Sequence, residues 1–398
     1  MDAEQKAISL DDILHGSATA AGLHERGPVH RAVLPDGTAV WAVIGYDEAI
    51  DALSDPRLSV AVMTAAGVLD AGKLTTDQRN GLLRGLTSTD PPDHTRLRRL
   101  VSSAFTARRV AAMRPWISSL TDTLIDGFAP AGRVELMSRL ALPLPMLVMS
   151  ELLGIPEADR PRFREGSRLL MLGLGTPDFP LDAALDFLQF LRELCSYKRE
   201  HPDDGLVSAL IRARDDGDAL VEDELTSMVF LMILAGHDTT VGLIGNGVYL
   251  LLKDPEQLAA VRADPSLLPS AIEEFLRMES PVPVANFRAA LDSFELAGTR
   301  IAAGDLVAIS LQSANLAPAQ FTDPQRLDPA RSQGRHLAFG HGIHYCLGAP
   351  LARLEAEAAI GTLLRRFPAL RLEDPTAELA WNQSVFVHRL DTLPLVLN

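Results

Sequence analysis

FGHGIHYCLG, at residues 339–348, is the stretch that decides the fold of this 398-residue chain. It places Cys346, one of only two cysteines, in a turn that is rich in glycine. The residues that follow, 349–363, have the pattern of a helix. Because unpaired N–H groups and the helix dipole at a helix start favour a thiolate over a thiol, we expect an anionic sulfur here. Glycines at 340, 342 and 348 carry no side chain, so a broad, flat group can approach the backbone closely.

Cys346 taken alone is compatible with three roles: a structural residue, a zinc ligand or a haem ligand. A single cysteine is most often a small buried hydrophobic residue. Zinc is a second possibility, because His341 and His344 are close in sequence, but the other cysteine, Cys195, lies in an unrelated helical stretch and zinc needs three or four protein ligands. Haem is the third, since a cysteine thiolate pushes electron density onto haem iron and favours O–O cleavage.

The whole stretch, FGHGIHYCLG, decides between them. It resembles the haem-binding loop of the cytochromes P-450, and its continuation APLAR, at residues 349–353, resembles that of the soluble bacterial members. This resemblance implies haem b as the cofactor and Cys346 as the axial ligand of its iron.

Composition and charge narrow the class of protein independently. The chain has 52 acidic and 37 basic side chains, a net charge of −15, which argues against nucleic-acid binding. Two cysteines give no disulfide framework, so we expect a cytoplasmic protein. The first twelve residues lack the pattern of a signal peptide, and the apolar run at residues 229–236 is too short to cross a membrane. No linker or repeat divides the chain, which predicts one domain over residues 1–398.

DPPDHTRLRRL, at residues 90–100, has the prolines and acidic residues of a helix start. His94 and Arg98 are four residues apart and share one helix face, where both can donate to carboxylates. A solvated basic face is the alternative. The segment resembles the family's helix that holds a haem propionate, which implies that role for both residues. The same resemblance implies that Arg288, His336 and His344 bind the cofactor.

Residues 222–253 read as one long helix whose apolar middle predicts burial on all sides. AGHDTT, at 235–240, then puts polar groups where they are costly. In a structural interpretation, Thr239 bonds back to a carbonyl one turn earlier and Asp238 forms a buried pair. In a catalytic interpretation, a loosened turn leaves room for dioxygen while Asp238 and Thr239 pass protons inward. The motif resembles the family's oxygen-activation signature, which implies the catalytic interpretation.

The resemblance covers other segments of the chain. Glu274 and Arg277, three residues apart, resemble the family's structural ion pair. Arg389 stands where relatives often have glycine, which puts the local turn geometry in doubt. By resemblance, the substrate-contacting residues are Met232, Ala235, Val284, Asn286 and Phe386.

Residue patterns alone predict two further features. Residues 57–88 lack a clean period and predict a long loop, and residues 29–33 and 38–43 predict a hairpin.

The implied fold is α+β and mainly helical, with a small β-rich region and a long central helix over the haem. The implied reaction is monooxygenation, in which one atom of O2 is inserted by hydroxylation or epoxidation into a sizeable, largely apolar small molecule. A secondary metabolite such as a macrolide or polyketide fits best. Since no dinucleotide fingerprint is present, electrons from NAD(P)H must arrive through partners, a ferredoxin and its reductase. A peroxide-driven enzyme and a non-enzymatic haem sensor are the alternatives.

Overall fold

The structure is a computed structural model that describes residues 8–10, 13, 22–34, 37–62, 74–173, 180–215, 220–332, 334–382, 384 and 386–398. The α-helices are α1 (Tyr46–Ser54), α2 (Thr76–Leu83), α3 (Asp93–Ala104), α4 (Ala107–Ala112), α5 (Arg114–Asp126), α6 (Pro143–Leu153), α7 (Arg160–Gly173), α8 (Leu181–Glu200), α9 (Leu206–Asp215), α10 (Glu222–Lys253), α11 (Pro255–Ala263), α12 (Leu268–Met278), α13 (Leu311–Asn315) and α14 (Ala349–Arg366). The strands are β1 (Ile8–Ser9), β2 (Val29–Val33), β3 (Ala39–Val43), β4 (Leu58–Ser59), β5 (Arg133–Glu135), β6 (Arg288–Ala290), β7 (Phe294–Leu296), β8 (Thr299–Ile301), β9 (Leu306–Ile309), β10 (Arg371–Leu372) and β11 (Pro394–Val396).

Residues in helices greatly outnumber residues in strands, which agrees with the predicted α+β, mainly helical class. The largest sheet has the strand order β1-β2-β3-β9-β6-β4, and two smaller sheets are formed by β10-β11-β5 and β7-β8. The predicted hairpin is confirmed as the antiparallel pair β2 and β3, with Val29 opposite Val43; residues 35 and 36 of its turn lie outside the described residues. Alternating buried residues on β2 and β3 place one face of this sheet against a hydrophobic core.

The long helix α10 is the centre of the fold. It has the predicted bounds and packs against α2, α6, α8, α12 and α14. Among the described residues it alone is long and apolar enough to span a bilayer, but 67% of its apolar window is buried inside the fold. That burial is expected of a core helix that is apolar on all sides, and it supports the prediction of a soluble protein.

Residues 57–88 do not form one long loop, because α2 lies within them; its polar sequence, TDQRNGLL, hides the helical period, and Thr75 and Gln78 form a capping box at its start. Residues 63–73 of that segment lie outside the described residues, as do residues 174–179 between α7 and α8.

Glu274 and Arg277 on α12 form the predicted pair, and both are buried. Arg277 donates to the two carboxylate oxygens of Glu274 at 2.8 and 3.0 Å. It also donates to three backbone carbonyls, those of Asn315, Pro324 and Arg326. Arg331 is a second arginine that donates to Glu274, at 3.0 Å. This network fixes the irregular chain that precedes the cysteine loop to α12.

Candidate active site

A cavity of about 310 Å³ lies between the central helix α10, the cysteine loop and the start of α14. Helix α3 and the N-terminal end of β6 close one edge of it. Most of the lining is apolar, and its polar residues include His94, Arg98 and Arg288 at that edge, Thr239 and Thr240 on α10, Asn286, and Glu355 on α14. A predominantly apolar cavity with a few convergent polar groups is typical of a small-molecule site.

Cys346 sits in a loop whose shape depends on two glycines. Gly340 and Gly342 have φ values of +71° and +70°, a backbone conformation that side chains disfavour. The Cys346 N–H donates to the Phe339 carbonyl at 2.9 Å and closes the loop. A Cβ on Gly342 would lie 3.2 Å from the Leu53 carbonyl oxygen, so the loop packs closely on the end of α1. The turn thus presents Cys346 to the cavity at the start of α14.

The predicted thiolate does not follow from the helix start alone. Burial raises the pKa of the Cys346 thiol, and this is the largest influence. The backbone N–H groups of Gly348 and Ala349 and the charges of Arg98 and Arg353 lower the pKa but only partly offset the burial. A metal cation bound to the sulfur would favour the anionic form.

Four nitrogen-bearing side chains meet at the cavity edge: His94, Arg98, Arg288 and His344. The His94 and His344 rings lie 4.4 Å apart, centroid to centroid. Burial lowers the pKa of His344 to about 4, with smaller contributions from His94, Arg288 and Arg98. Burial is also the main cause of the lowered pKa of His94. At neutral pH the edge thus combines two neutral imidazoles with two guanidinium groups.

Several of these nitrogen atoms have no hydrogen-bond partner. Both ring nitrogens of His94 and the Nε of Arg288 are buried without a hydrogen bond. Arg288 donates from Nη1 to the Ala52 and Leu53 carbonyls, both at 3.0 Å, and Arg98 donates to the Tyr345 carbonyl at 2.7 Å. Since buried polar groups are almost always satisfied, the edge is suited to an acidic ligand.

His336 does not join this group, and its predicted cofactor contact is corrected by the geometry. Its Nε2 lies 3.0 Å from a carboxylate oxygen of Glu273, and its Nδ1 accepts from the Ala338 N–H at 3.1 Å. Glu273 also accepts two bonds from Arg353, both at 2.7 Å. Both ring nitrogens are thus used in a network behind the loop, and His336 does not line the cavity.

On the central helix, Thr239 lines the cavity and Asp238 does not. The Thr239 hydroxyl donates to the Ala235 carbonyl at 2.7 Å. Asp238 is 3% exposed and lies on another face, with Oδ1 3.3 Å from His237 Nδ1 and 3.8 Å from Arg389 Nε. Helix α10 is continuous through these residues, so the expected loosened turn is absent. These contacts match the structural interpretation, while Thr239 keeps a position open to the cavity.

Three of the five predicted substrate-contacting residues line the cavity, and two do not. Met232, Ala235 and Asn286 line the cavity. Val284 is 2% exposed and bridges to Ser310 beside the large sheet, and Phe386 packs edge-on against Phe287 at 6.5 Å. Neither of these two lines the cavity, because each is already part of another packing cluster.

Glu355 is the residue that sequence reasoning missed. It lines the cavity from α14, is completely buried, and has no hydrogen-bond partner for either carboxylate oxygen. Burial raises the pKa of Glu355 well above its ordinary value and thus favours the neutral carboxylic acid. The signal was present in its spacing, since Gly348, Leu351, Ala352 and Glu355 follow one helix face.

The donor set fits a haem. A cysteine faces the cavity, two guanidinium groups and an unpartnered imidazole face the edge where acidic substituents would lie, and the intervening surface is apolar. The cytochrome P-450 family model matches residues 178–391. The chain belongs to the cytochrome P-450 family. Of its relatives, the P-450 monooxygenase PikC of Streptomyces venezuelae is 44% identical over 98% of this chain and 92% of its own length. The 6-deoxyerythronolide B hydroxylase of Saccharopolyspora erythraea is 42% identical over 96% of this chain and 95% of its own.

The solved structures agree with this assignment. The tirandamycin C-bound P-450 monooxygenase TamI is 41% identical, covers 98% of this chain and 100% of its own, and superimposes with a TM-score of 0.88. This P-450 is accordingly a monooxygenase with the P-450 fold, and it uses haem b. Its electrons come from NAD(P)H through redox partner proteins, and its other reactants are O2 and a small molecule.

Proposed function

We propose that this P-450 hydroxylates or epoxidises a sizeable, largely apolar secondary metabolite of the macrolide or polyketide kind. The single observation that carries the proposal is the division of the cavity into an apolar part under the central helix and a polar edge. Relatives support the substrate class: one is named for hydroxylating 6-deoxyerythronolide B, and another was solved with tirandamycin C.

We assign Cys346 as the ligand of the haem iron, and His94, Arg98 and Arg288 as the groups that bind the haem propionates. The orphan nitrogens of His94 and Arg288 support this assignment, because a carboxylate would satisfy both. His344 is assigned to the same edge through its packing against His94. When bound, the haem supplies the chemistry of oxygen activation, and the cysteine sulfur donates electron density to it.

The central helix contributes on the opposite side. Ala235 and Met232 provide apolar contacts for the substrate, and Asn286, whose side chain donates to the Thr87 carbonyl at 2.8 Å, borders them. Because the Thr239 hydroxyl gives its hydrogen to the Ala235 carbonyl, its oxygen can accept a hydrogen bond from the cavity side. We propose that Thr239 holds a proton donor there and that Asp238 supplies protons from behind it.

We also propose that residues 1–398 form a single P-450 domain, that the electron donors are a ferredoxin and its reductase, and that the protein is cytoplasmic. The packing of α10 against helices from both halves of the chain supports the first of these. The acidic net charge and the two separate, unlinked cysteines are consistent with the last.

The test is turnover under 18O2 with NADPH, a ferredoxin and its reductase, using a panel of macrolides, polyketides and, for comparison, fatty acids and steroids. Substrates are first selected by the spin-state shift they cause in the Soret band. We expect one 18O atom per product molecule from a macrolide or polyketide. Product from a fatty acid or steroid alone would contradict the substrate class.

Two variants test the assigned residues. Cys346→Ala is expected to lose the thiolate-type spectrum of the reduced carbon monoxide complex. Thr239→Ala is expected to keep that spectrum but to release peroxide in place of product. Undiminished product per NADPH from Thr239→Ala would contradict its role, and equal turnover with peroxide alone would favour the peroxide-driven alternative.

A further inference from the structure

One face of the central helix α10, on the side away from the cavity, packs against a short segment near the C-terminus of the chain. Asp238, Gly242 and Asn246 are spaced four residues apart and therefore share this face, and none of the three lines the cavity. Residues 388–390, which we name the C-terminal strap, lie across it. Asn246 donates to the carbonyl of residue 388 at 3.0 Å and accepts from the N–H of residue 390 at 3.4 Å.

Gly242 allows this close approach. A Cβ at Gly242 would lie 3.2 Å from the carbonyl oxygen of His388 and 3.4 Å from the Cβ of Arg389. The strap is also fixed from its outer side, because Asn382 and Arg389 exchange two hydrogen bonds of 3.0 Å. The position of the Arg389 side chain is thus set by contacts on both sides of the strap.

The strap brings the Arg389 guanidinium to Asp238. Arg389 Nε lies 3.8 Å from Asp238 Oδ1, and its Nη1 lies 3.6 Å from Asp391 Oδ1. The side-chain exposure rises along this series, from 5% for Asp238 through 16% for Arg389 to 47% for Asp391. Arg389 thus links a buried carboxyl group next to Thr239 with the protein surface.

His237 faces the same carboxylate oxygen from the other side. Its Nε2 lies 3.1 Å from the Leu142 carbonyl, and because a carbonyl only accepts, Nε2 carries a hydrogen. Its Nδ1 lies 3.3 Å from Asp238 Oδ1. His237 Nδ1, Asp238 Oδ1 and Arg389 Nε are all buried and have no hydrogen bond to any other group. One proton on the contact between Nδ1 and Oδ1 would satisfy the first two atoms.

We propose that His237 and Arg389 are positioning residues that act through Asp238 in proton delivery, Arg389 by favouring the carboxylate and His237 by sharing a proton with it. In the transfer, the Nδ1 proton of an imidazolium His237 passes to Asp238 Oδ1. The imidazole is left neutral with its Nε2–H still on Leu142, and the carboxylate becomes a carboxylic acid. Solvent water returns the proton that the reaction consumes. This proposal rests on the proposed function of Asp238 and Thr239.

The experiment is a double-mutant cycle on the haem-loaded enzyme. Arg389→Met and Arg389→Lys are made in the unsubstituted chain and in an Asp238→Asn background, and product and peroxide per NADPH are measured. Arg389→Met is expected to reduce product formation about tenfold, which is less than the roughly 100-fold or greater effect of losing an acid or base itself, because Arg389 acts only through Asp238. Arg389→Lys is expected to recover most of this loss. In the Asp238→Asn background, Arg389→Met should have no further effect, because Arg389 acts through that carboxylate.

Lys253→Met is the matched control, since it removes a cation from the far end of the same helix, about 22 Å along the axis. It should leave product per NADPH unchanged. The carbon monoxide spectrum and melting temperature of every variant report on folding. Unchanged product in Arg389→Met, or a full additional loss in the Asp238→Asn background, would overturn the proposal.

A second measurement does not depend on turnover. In protein labelled with 15N-histidine and held as the diamagnetic carbon monoxide complex, the His237 ring signals are assigned with a His237→Gln variant. We expect a protonated Nε2 and a change in the Nδ1 signal in both Arg389→Met and Asp238→Asn. If neither variant moves the His237 signals, the shared proton does not exist, whatever the enzyme oxidises. If the signals move but no substrate is found, the proposed function fails and the coupling stands.

Discussion

Replacing Arg288 with methionine should have unequal effects on cofactor binding and on folding. Arg288 is 4% exposed, and burial lowers its pKa from the ordinary value of an arginine to about 10 despite the opposing charges of Asp90 and Asp55. This difference corresponds to roughly 3 kcal/mol of unfavourable free energy for the buried guanidinium. A haem carboxylate that paired with it would recover most of this amount, which is about a 100-fold contribution to haem affinity.

Folding of the haem-free protein should change much less. Methionine removes the buried charge, which is favourable, but it also leaves the Ala52 and Leu53 carbonyls without their donor, at about 1 kcal/mol or more each. The two effects nearly offset, so we expect the free energy of unfolding to change by no more than about 1 kcal/mol. Haem affinity and stability should therefore separate in this variant.

The assay is transfer of haem to an excess of haem-free myoglobin, followed in the Soret band, together with urea unfolding of the haem-free protein. Arg57→Met is the control, because Arg57 is exposed beside β4, is paired with Asp55 and does not line the cavity. Its haem release should match that of the unsubstituted protein. If Arg288→Met also retains haem as tightly as the unsubstituted protein, Arg288 does not bind a propionate and the edge is wrongly assigned.

Three further predictions concern groups around the cavity. Burial raises the pKa of Glu355 above its unfolded value, so its contribution to the stability of the haem-free protein is present below about pH 4.5 and is lost as the pH rises. Glu355→Gln should flatten this dependence in urea unfolding between pH 5 and 8, and an unchanged slope would show that Glu355 is not protonated in the folded state. Arg277→Met removes two of the hydrogen bonds to the buried Glu274 and the side-chain donor to the Asn315 and Pro324 carbonyls, which should cost about 3–5 kcal/mol. For a chain of this length that corresponds to about 5 °C in Tm by calorimetry, whereas methionine at the exposed Arg326 should cost almost nothing. Ala235→Leu should weaken the spin-state response to large substrates more than to small ones, and equal weakening of both would place residue 235 outside the substrate volume.

The parts of the site that could be predicted are those whose spacing is local. His94 and Arg98 are one helical turn apart, and the cysteine loop is continuous in sequence, so both reached the cavity as expected. His336 lies beside the same loop, but its partner Glu273 is 63 residues away in sequence. The family resemblance implied a cofactor contact for His336, and neither the resemblance nor the local pattern carries information on such a competing partner.

The same limit applies to the central helix. Its bounds followed from hydrophobicity, but the contact between Asp238 and Arg389 spans 151 residues and depends on the strap that Gly242 admits. The loosened turn was expected because the motif is polar. The structure instead provides room with small side chains, since Ala235 and Gly236 both line the cavity and the helix stays regular.

The regular helix explains how an acid can serve an apolar cavity. Successive residues of an α-helix point about 100° apart, and in this helix Thr239 lines the cavity whereas Asp238 does not. Thr239 faces the cavity with a hydroxyl already bonded to Ala235, which adds no charge to the apolar lining. Asp238 faces His237 and Arg389, where a carboxylate has compensating nitrogens within 4 Å. If Asp238 is the proton source that we propose, its position on the other face avoids the desolvation cost of a charge within the apolar lining.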